Sequence, residues 1–223
     1  MACLLPLKNF INSENIKNFA QFPEDSFDLL GKNLENWLKQ KLKSVGVDES
    51  PLIKGQCHPS AVIEGPVYIE EGAIIEPFAY IKGPAFIGPQ TEVRQGAYIR
   101  GNVYAGSKCV IGHTTEVKGS VFFDQAKAGH FAYVGDSILG FNANLGAGTK
   151  LANLKIKGKS VSFKDPATGK LINSGLRKLG AIIGDEVQTG CNSVLSPGSL
   201  LLPGTAVLPT VHFHGTLTKG WAK

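Results

Sequence analysis

Lys82, Arg100 and Lys118 are spaced 18 residues apart, and each directly follows an aliphatic residue. In a chain whose turns repeat every 18 residues, these cations stand in one column, with Glu64 one step below. Unit charges about 5 Å apart repel one another, so the column calls for an anion. A phosphate group suits it; pairing with Glu116, or splaying into solvent, is the other outcome. Further along, the segment KAGHFAYVGD carries His130. His113 lies 17 residues before it, whereas His58, His212 and His214 are remote from both in sequence. A zinc site needs a third ligand placed beside the first two, and this spacing does not supply one. Cys3, Cys57, Cys109 and Cys191 include no CxxC pair, which argues against a zinc ribbon or a redox motif.

Stacking at 18-residue intervals requires a strict short repeat. From Ala61 the chain divides into sixes: AVIEGP, VYIEEG, AIIEPF, AYIKGP, AFIGPQ, TEVRQG, AYIRGN, VYAGSK, CVIGHT, TEVKGS, VFFDQA. The third place holds Ile63, Ile69, Ile75, Ile81, Ile87, Val93, Ile99, Ala105, Ile111, Val117 and Phe123; the first holds only Ala, Val, Thr or Cys. In a short strand these two places face the same side, so a small and a bulky residue point inward together. Cys109 is then a small core residue. Glycine and polar residues at places four to six supply the corners. Such a period identifies a left-handed parallel β-helix of hexapeptide repeats, three hexads to a coil, and hence an all-β protein. The register resumes as SILGFN, ANLGAG and TKLANL, then as AIIGDE, VQTGCN, SVLSPG, SLLLPG and TAVLPT. With AKAGHF and AYVGDS between them, about 21 units make roughly seven coils, a prism about 34 Å tall at strand spacing.

The period fails twice. The inward positions Phe123 and Leu139 are 16 apart, so two steps are shortened around KAGHFAYVGD. A break in an otherwise strict repeat is where function is expected. Between Leu154 and Ala181 the segment KIKGKSVSFKDPATGKLINSGLRK departs from the hexads. Val161 and Phe163 face Leu171 and Ile172 across DPATGK, which predicts a β-hairpin leaving the prism. Such a loop builds a binding face or is a tolerated insertion.

Residues 1–50 form a separate N-terminal helical segment, with the β-helix occupying 51–223. FPEDSFDLLGKNLENWLKQKLKSVGV carries an apolar stripe of Phe27, Leu29, Leu30, Leu34, Trp37 and Leu38. This short α-helical stretch has Asp25 or Ser26 as cap and Gly46 as stop. It is expected to cover the open first coil, which would otherwise present a bare edge.

The composition is globular: 43% hydrophobic and 18% charged residues leave enough apolar surface for a core. The net charge is +5, but without basic blocks interleaved with aromatics, so nucleic-acid binding is not expected. The start MACLLPLKNF is too short an apolar run for a signal peptide, and nothing is long enough to span a bilayer. A reduced, cytoplasmic protein is expected.

The stretch TEVKGSVFFDQAKAGHFAYVGDSILGFNANLGAGTKLANLK resembles the acetyltransferase domain of the bifunctional N-acetylglucosamine-1-phosphate uridyltransferase/glucosamine-1-phosphate acetyltransferases. RKLGAIIGDEVQTG is similar to the archaeal sugar-1-phosphate nucleotidylyltransferase/acetyltransferase branch, and FDLLGKNLENWL to its linker helix. The resemblance covers about residues 52–210. It implies a homotrimer with sites between neighbouring prisms, and acetyl-CoA as donor. The implied acceptor is an amino-sugar phosphate, glucosamine 1-phosphate above all, in UDP-N-acetylglucosamine biosynthesis. It places the general base on His130 and the sugar-phosphate contacts on Arg100, Lys118, Tyr133, Asn144 and Lys178. Donor contacts fall on Asn153, the backbone around Ala147 and, where bacterial members have serine, Cys191. No metal is implied. A histidine with an ordinary pKa near 6.5 suits removal of the amine proton.

The family's nucleotidyltransferase portion has no counterpart in the first 50 residues, which lack a glycine-rich nucleotide loop, so nucleotidyl transfer is not expected. The C-terminal HFHGTLTKGWAK also lacks the arginine tail of bacterial members. Other readings are acylation of a nucleotide-linked amino sugar, a non-catalytic trimeric scaffold, and a γ-carbonic-anhydrase-like zinc protein.

Overall fold

In a computed structural model that describes residues 4–223, the hexads wind into a prism of three parallel sheets. Face one has nine strands, from Leu52–Ile53 to Thr216–Leu217. Face two has nine, from Gln56–Cys57 to Trp221–Ala222, and face three eight, from Val62–Glu64 to His212–Phe213. The architecture is the left-handed β-helix that the hexads predict. It exceeds the expected seven coils because PLIKGQCHPS and VHFHGTLTKGWA join the ladders without a hexad signature. Cys3 lies outside the described residues.

The interior follows the alternation. Third-place residues from Ile69 to Val117 share one buried cluster, with first-place Ala73, Ala79, Ala85, Ala97 and Cys109 between them. Burial pushes the Cys109 thiol up to about 12. Each large aliphatic removed from water stabilises the fold by about 1.5–3 kcal/mol. Buried hydroxyls replace a methyl only where a carbonyl receives them: Thr91 Oγ1 donates to the Gly106 carbonyl at 2.7 Å and Thr115 Oγ1 to that of Ala128 at 3.1 Å.

Two successive coils have 17 residues, not 18. Ala105 lies beside Phe122 and Phe122 beside Leu139 on face one, and Ile111 lies beside Ala128 on face two. This corrects one expected position: Phe122, not Phe123, fills the interior, and Phe123 joins the outer core. The first residue is lost at the corner holding Gly119, before face one, so every later side chain advances by one. A one-residue slip exchanges inside for outside. The second loss falls at the same corner one coil later, at Gly135–Ser137.

The N-terminal segment does not cap the first coil, as expected, but lies along face one. There Tyr68, Phe86, Tyr104, Val121, Ile138, Ile182 and Leu200 point outward and pack against residues from Leu5 to Val47. Tyr68, Phe86 and Tyr104 stack with ring centroids 5.0 and 5.2 Å apart, and Phe22 and Trp37 each lie 5.4 Å from Tyr104. Seven apolar outward positions offer more area to bury than one coil end does. Asp185 pins the layer, accepting from Asn12 N at 2.9 Å and Asn15 Nδ2 at 3.1 Å.

The helix itself is shorter than predicted, Gly31–Ser44. Asp25 caps a separate 3₁₀ turn, Ser26–Leu29, through Phe27 N at 3.0 Å, and extended Leu30 interrupts the two. The stop is as predicted. Gly46 has φ +85°, its N–H donates to Lys43 O at 3.0 Å and that of Val47 to Leu42 O at 2.9 Å, which satisfies the last carbonyls.

Ser162–Lys164 and Leu171–Asn173 form the predicted antiparallel hairpin, with Phe163 opposite Ile172. It does not leave the prism. Val161 and Phe163 are buried in the outer core, and the Phe163 ring lies 5.3 Å from Phe27. Among the described residues, no helix is long and apolar enough to cross a membrane.

Candidate active site

The shortened coils place polar side chains at both ends of the face-three strand Tyr133–Gly135, which is about 10 Å long at the usual rise. At its far end the chain turns through Asp136 at φ +47°. Asp136 N donates to Lys118 O at 2.9 Å, and its carbonyl accepts from Gly180 N at 2.8 Å. The buried carboxylate takes Lys118 Nζ on both oxygens, at 2.8 and 2.9 Å, and Asn153 Nδ2 at 2.5 Å. The Tyr133 hydroxyl and Asn153 amide lie over Gly135, where an added Cβ would sit 2.8 and 2.6 Å from them. Only a residue without a side chain admits this cluster. Burial, then Glu116 and Asp136, push the Tyr133 phenol up, so it stays a neutral hydrogen-bonding group.

The cation column is real in the backbone: Glu64 lies beside Lys82, and Lys82 beside Arg100. Its charge is mostly answered within the chain. Arg100 Nη1 bonds Glu116 Oε1 at 2.6 Å, which holds its pKa above the ordinary value, and Asp136 serves Lys118. Lys82 has no ion pair among the described residues. Lys178 is exposed at an isolated bridge to Leu154, next to Leu179, whose N–H donates to Asn153 O at 3.0 Å.

The near end is the corner between faces two and three. His130 closes the face-two strand Lys127–His130 and is exposed. Its carbonyl accepts from Gly148 N at 2.9 Å, and that of Ala147 accepts from Asn192 N at 2.8 Å. His130, Ala147 and Cys191 therefore mount one corner on successive coils. His113 stands one coil below His130. Its Nδ1 lies 3.1 Å from the Gln95 carbonyl. A carbonyl only accepts, so that nitrogen carries the proton and Nε2 of the neutral ring keeps its lone pair. The Phe131 ring, exposed at φ +52°, lies 5.4 Å from His113 and 6.2 Å from His130. Lys150 Nζ donates to the carbonyls of Phe131 and Gly148, at 3.1 and 2.7 Å.

The structure thus gathers Lys118, Tyr133 and Asn153 at one end, with Lys178 on the flank. His130, Ala147 and Cys191 gather at the other. Asn153 lies with Lys118, at the end of the strand away from Ala147 and Cys191. Arg100 is one strand below Lys118, and Asn144 is on face two, across the corner, between Lys127 and Gln188. Sequence reasoning missed Asp136. Its signal is the step of five residues from Val134 to Leu139, which removes one corner residue and turns Asp136 back over Lys118. Among the described residues, no three His, Cys, Asp or Glu side chains gather as a metal site.

A triangular prism of hexads is the architecture of the left-handed β-helix acyltransferases. Residues 81–207 match the family described as the GMPPB C-terminal domain, and the chain belongs to that family. It is 53% identical over 146 residues to the bifunctional protein GlmU of a Methanococcus maripaludis strain, covering 66% of this chain and 35% of that protein. It is 46% identical over 78 residues to the bifunctional sugar-1-phosphate nucleotidylyltransferase/acetyltransferase of Sulfurisphaera tokodaii, covering 35% of this chain and 19% of that protein. The chain thus spans about a third or less of the length of these relatives. The resemblance read from the motifs holds, and it falls on the relatives' C-terminal part.

Proposed function

We propose that the chain is a CoA-dependent N-acetyltransferase that acetylates the amine of an amino-sugar 1-phosphate, with glucosamine 1-phosphate as the preferred acceptor. The acceptor class follows the names of the relatives. The observation that carries the chemistry is the pairing of two unlike ends on one short strand. An imidazole without a hydrogen-bond partner among the described residues stands at one end, and a cation held in a fixed place stands at the other.

The acceptor phosphate interacts with Lys118, with Arg100 and Lys178 completing the cationic surround. Asp136 holds Lys118 in position before substrate arrives, so little side-chain freedom is lost on binding. Tyr133 and Asn144 hydrogen-bond sugar hydroxyls. The amine attacks the thioester carbonyl, His130 takes the amine proton, and the tetrahedral intermediate collapses. The C–S bond breaks, and the leaving thiolate takes the proton from the imidazolium. The corner above His130, with Ala147 and Cys191, carries the donor.

The active unit is a homotrimer in this reading. Support comes from face one being covered by the N-terminal layer, while faces two and three keep exposed apolar groups such as Ile74, Tyr98 and Trp221. The free thiols of Cys57, Cys109 and Cys191 fit a reducing cytoplasm. The test follows thiol release from acetyl-CoA in the presence of glucosamine 1-phosphate. Release that disappears in His130→Ala is the expected result; no release with any amino-sugar phosphate overturns the reading.

A further inference from the structure

The loop between the strands Lys150–Leu151 and Ser162–Lys164 reads KIKGKS over residues 155–160 and walls a cleft of about 780 Å³. Lys155, Lys157 and Lys159 line it together with Ile156, Ser196 and His212, and no carboxylate does. Lys155 Nζ is tied to Ser160 O at 3.1 Å, and Ser196 Oγ meets His212 Nε2 at 2.7 Å. Lys157 and Lys159 have no hydrogen-bond or ion-pair partner among the described residues. Ile156 is fully exposed, and Leu154 and Val194 are partly so.

Three cations within five residues, with no acid between them, repel one another unless an anion joins them. That contrasts with the lower column, where Glu116 and Asp136 answer Arg100 and Lys118. The exposed Ile156 and Leu154 add an apolar wall, which a simple inorganic anion would not use. The ligand chemistry that matches both is a phosphorylated nucleoside.

The position identifies which one. Tyr133, Lys150, Val194 and His212 are successive partners on face three. The cleft therefore runs from the first strand beyond the His130 coil, at Ala152 and Leu154, to the third, at His212, with its far end about 14 Å along the prism. An extended pantetheine arm covers that interval, past the Ala147–Cys191 corner. The geometry points to this cleft as the subsite for the 3′-phosphoadenosine diphosphate end of the acyl donor, held by Lys157 and Lys159. This rests on the acetyl-transfer reading for its ligand, but not for its test.

The test is calorimetric titration of the full chain and of the Lys157→Ala/Lys159→Ala double variant. The probes are adenosine 3′,5′-bisphosphate, CoA, dephospho-CoA and UDP. Both lysines are exposed and unpaired, so the variant should fold as the parent does. The expected result is about tenfold or greater weakening of bisphosphate and CoA binding, with loss of the preference for CoA over dephospho-CoA. Unchanged CoA affinity in the variant overturns the assignment, as does a parent that does not bind the bisphosphate. UDP binding that matches the bisphosphate and is weakened equally also overturns it, in favour of a nucleotide-linked acceptor. Bisphosphate binding that needs the lysines, in a protein that acetylates no amino-sugar phosphate, removes the acceptor reading and keeps this one.

Discussion

The two ends of the strand Tyr133–Gly135 are built on opposite plans. At the Asp136 end, Lys118, Asn153 and Tyr133 are tied into one partly buried cluster, with Lys118 and Asp136 side chains only 20% and 10% exposed. At the other end, His130 is exposed, and its ring has aromatic contact but no hydrogen bond among the described residues. The first end is preorganised and holds its shape without a ligand. The second is open, and in the proposed reading substrate and a neighbouring prism complete it. A site of this kind separates positioning from chemistry, so mutations at its two ends should fail in different ways.

Activity is where the contrast should be largest. His130→Ala is expected to lower kcat by about 10²–10⁴-fold, the usual contribution of a general base, while stability stays within about 0.5 kcal/mol because the side chain is exposed. Steady-state kinetics and urea unfolding on one preparation measure both.

At the closed end the order reverses. Asp136→Ala leaves a largely buried Lys118 ammonium unpaired and is expected to cost about 2–4 kcal/mol of stability, besides raising KM for the sugar phosphate. The exposed pair Arg100–Glu116, at 44% and 34%, is the control: Glu116→Ala should cost less than about 1 kcal/mol. Equal losses from the two substitutions would mean that the Asp136 cluster is no more preorganised than a surface pair.

Gly135→Ala sharpens the comparison from within. Its Cβ would meet Asn153 Nδ2 and the Tyr133 hydroxyl inside 3 Å, so a cost of about 1–3 kcal/mol and a raised KM for the acceptor are expected, with KM for acetyl-CoA little changed.

The smallest effects concern the thiols. Among the described cysteines, Cys191 is exposed and should react first with an alkylating reagent, slowed by bound acetyl-CoA. Cys109, buried and held near 12, should react only after unfolding. Mass spectrometry of labelled peptides reads the order.

The prism was legible because alternation of small and bulky residues at places one and three is a local property. The hairpin and the Gly46 stop were legible for the same reason. What was not legible depended on partners distant in sequence. Tyr68, Phe86 and Tyr104 stand 18 apart at an outward place, a signal as regular as the cation column. They reveal a covered face only once something is known to lie on it. Phe122 and Phe123 are both apolar, so composition could not say which of them enters after a residue is lost. The column of Lys82, Arg100 and Lys118 was read correctly as a stack, but its compensation by Glu116 and Asp136 depends on corner geometry that periodicity does not carry. His130 stood out because it lies between the two shortened corners, whereas Asp136 was hidden inside one of them.

The most direct measurement is thiol release by the parent and by His130→Ala, each with glucosamine 1-phosphate varied at saturating acetyl-CoA. The account predicts a large loss of kcat in the variant with nearly unchanged KM for the sugar phosphate, because the Asp136 end still binds it. Equal kcat in the two proteins would contradict it.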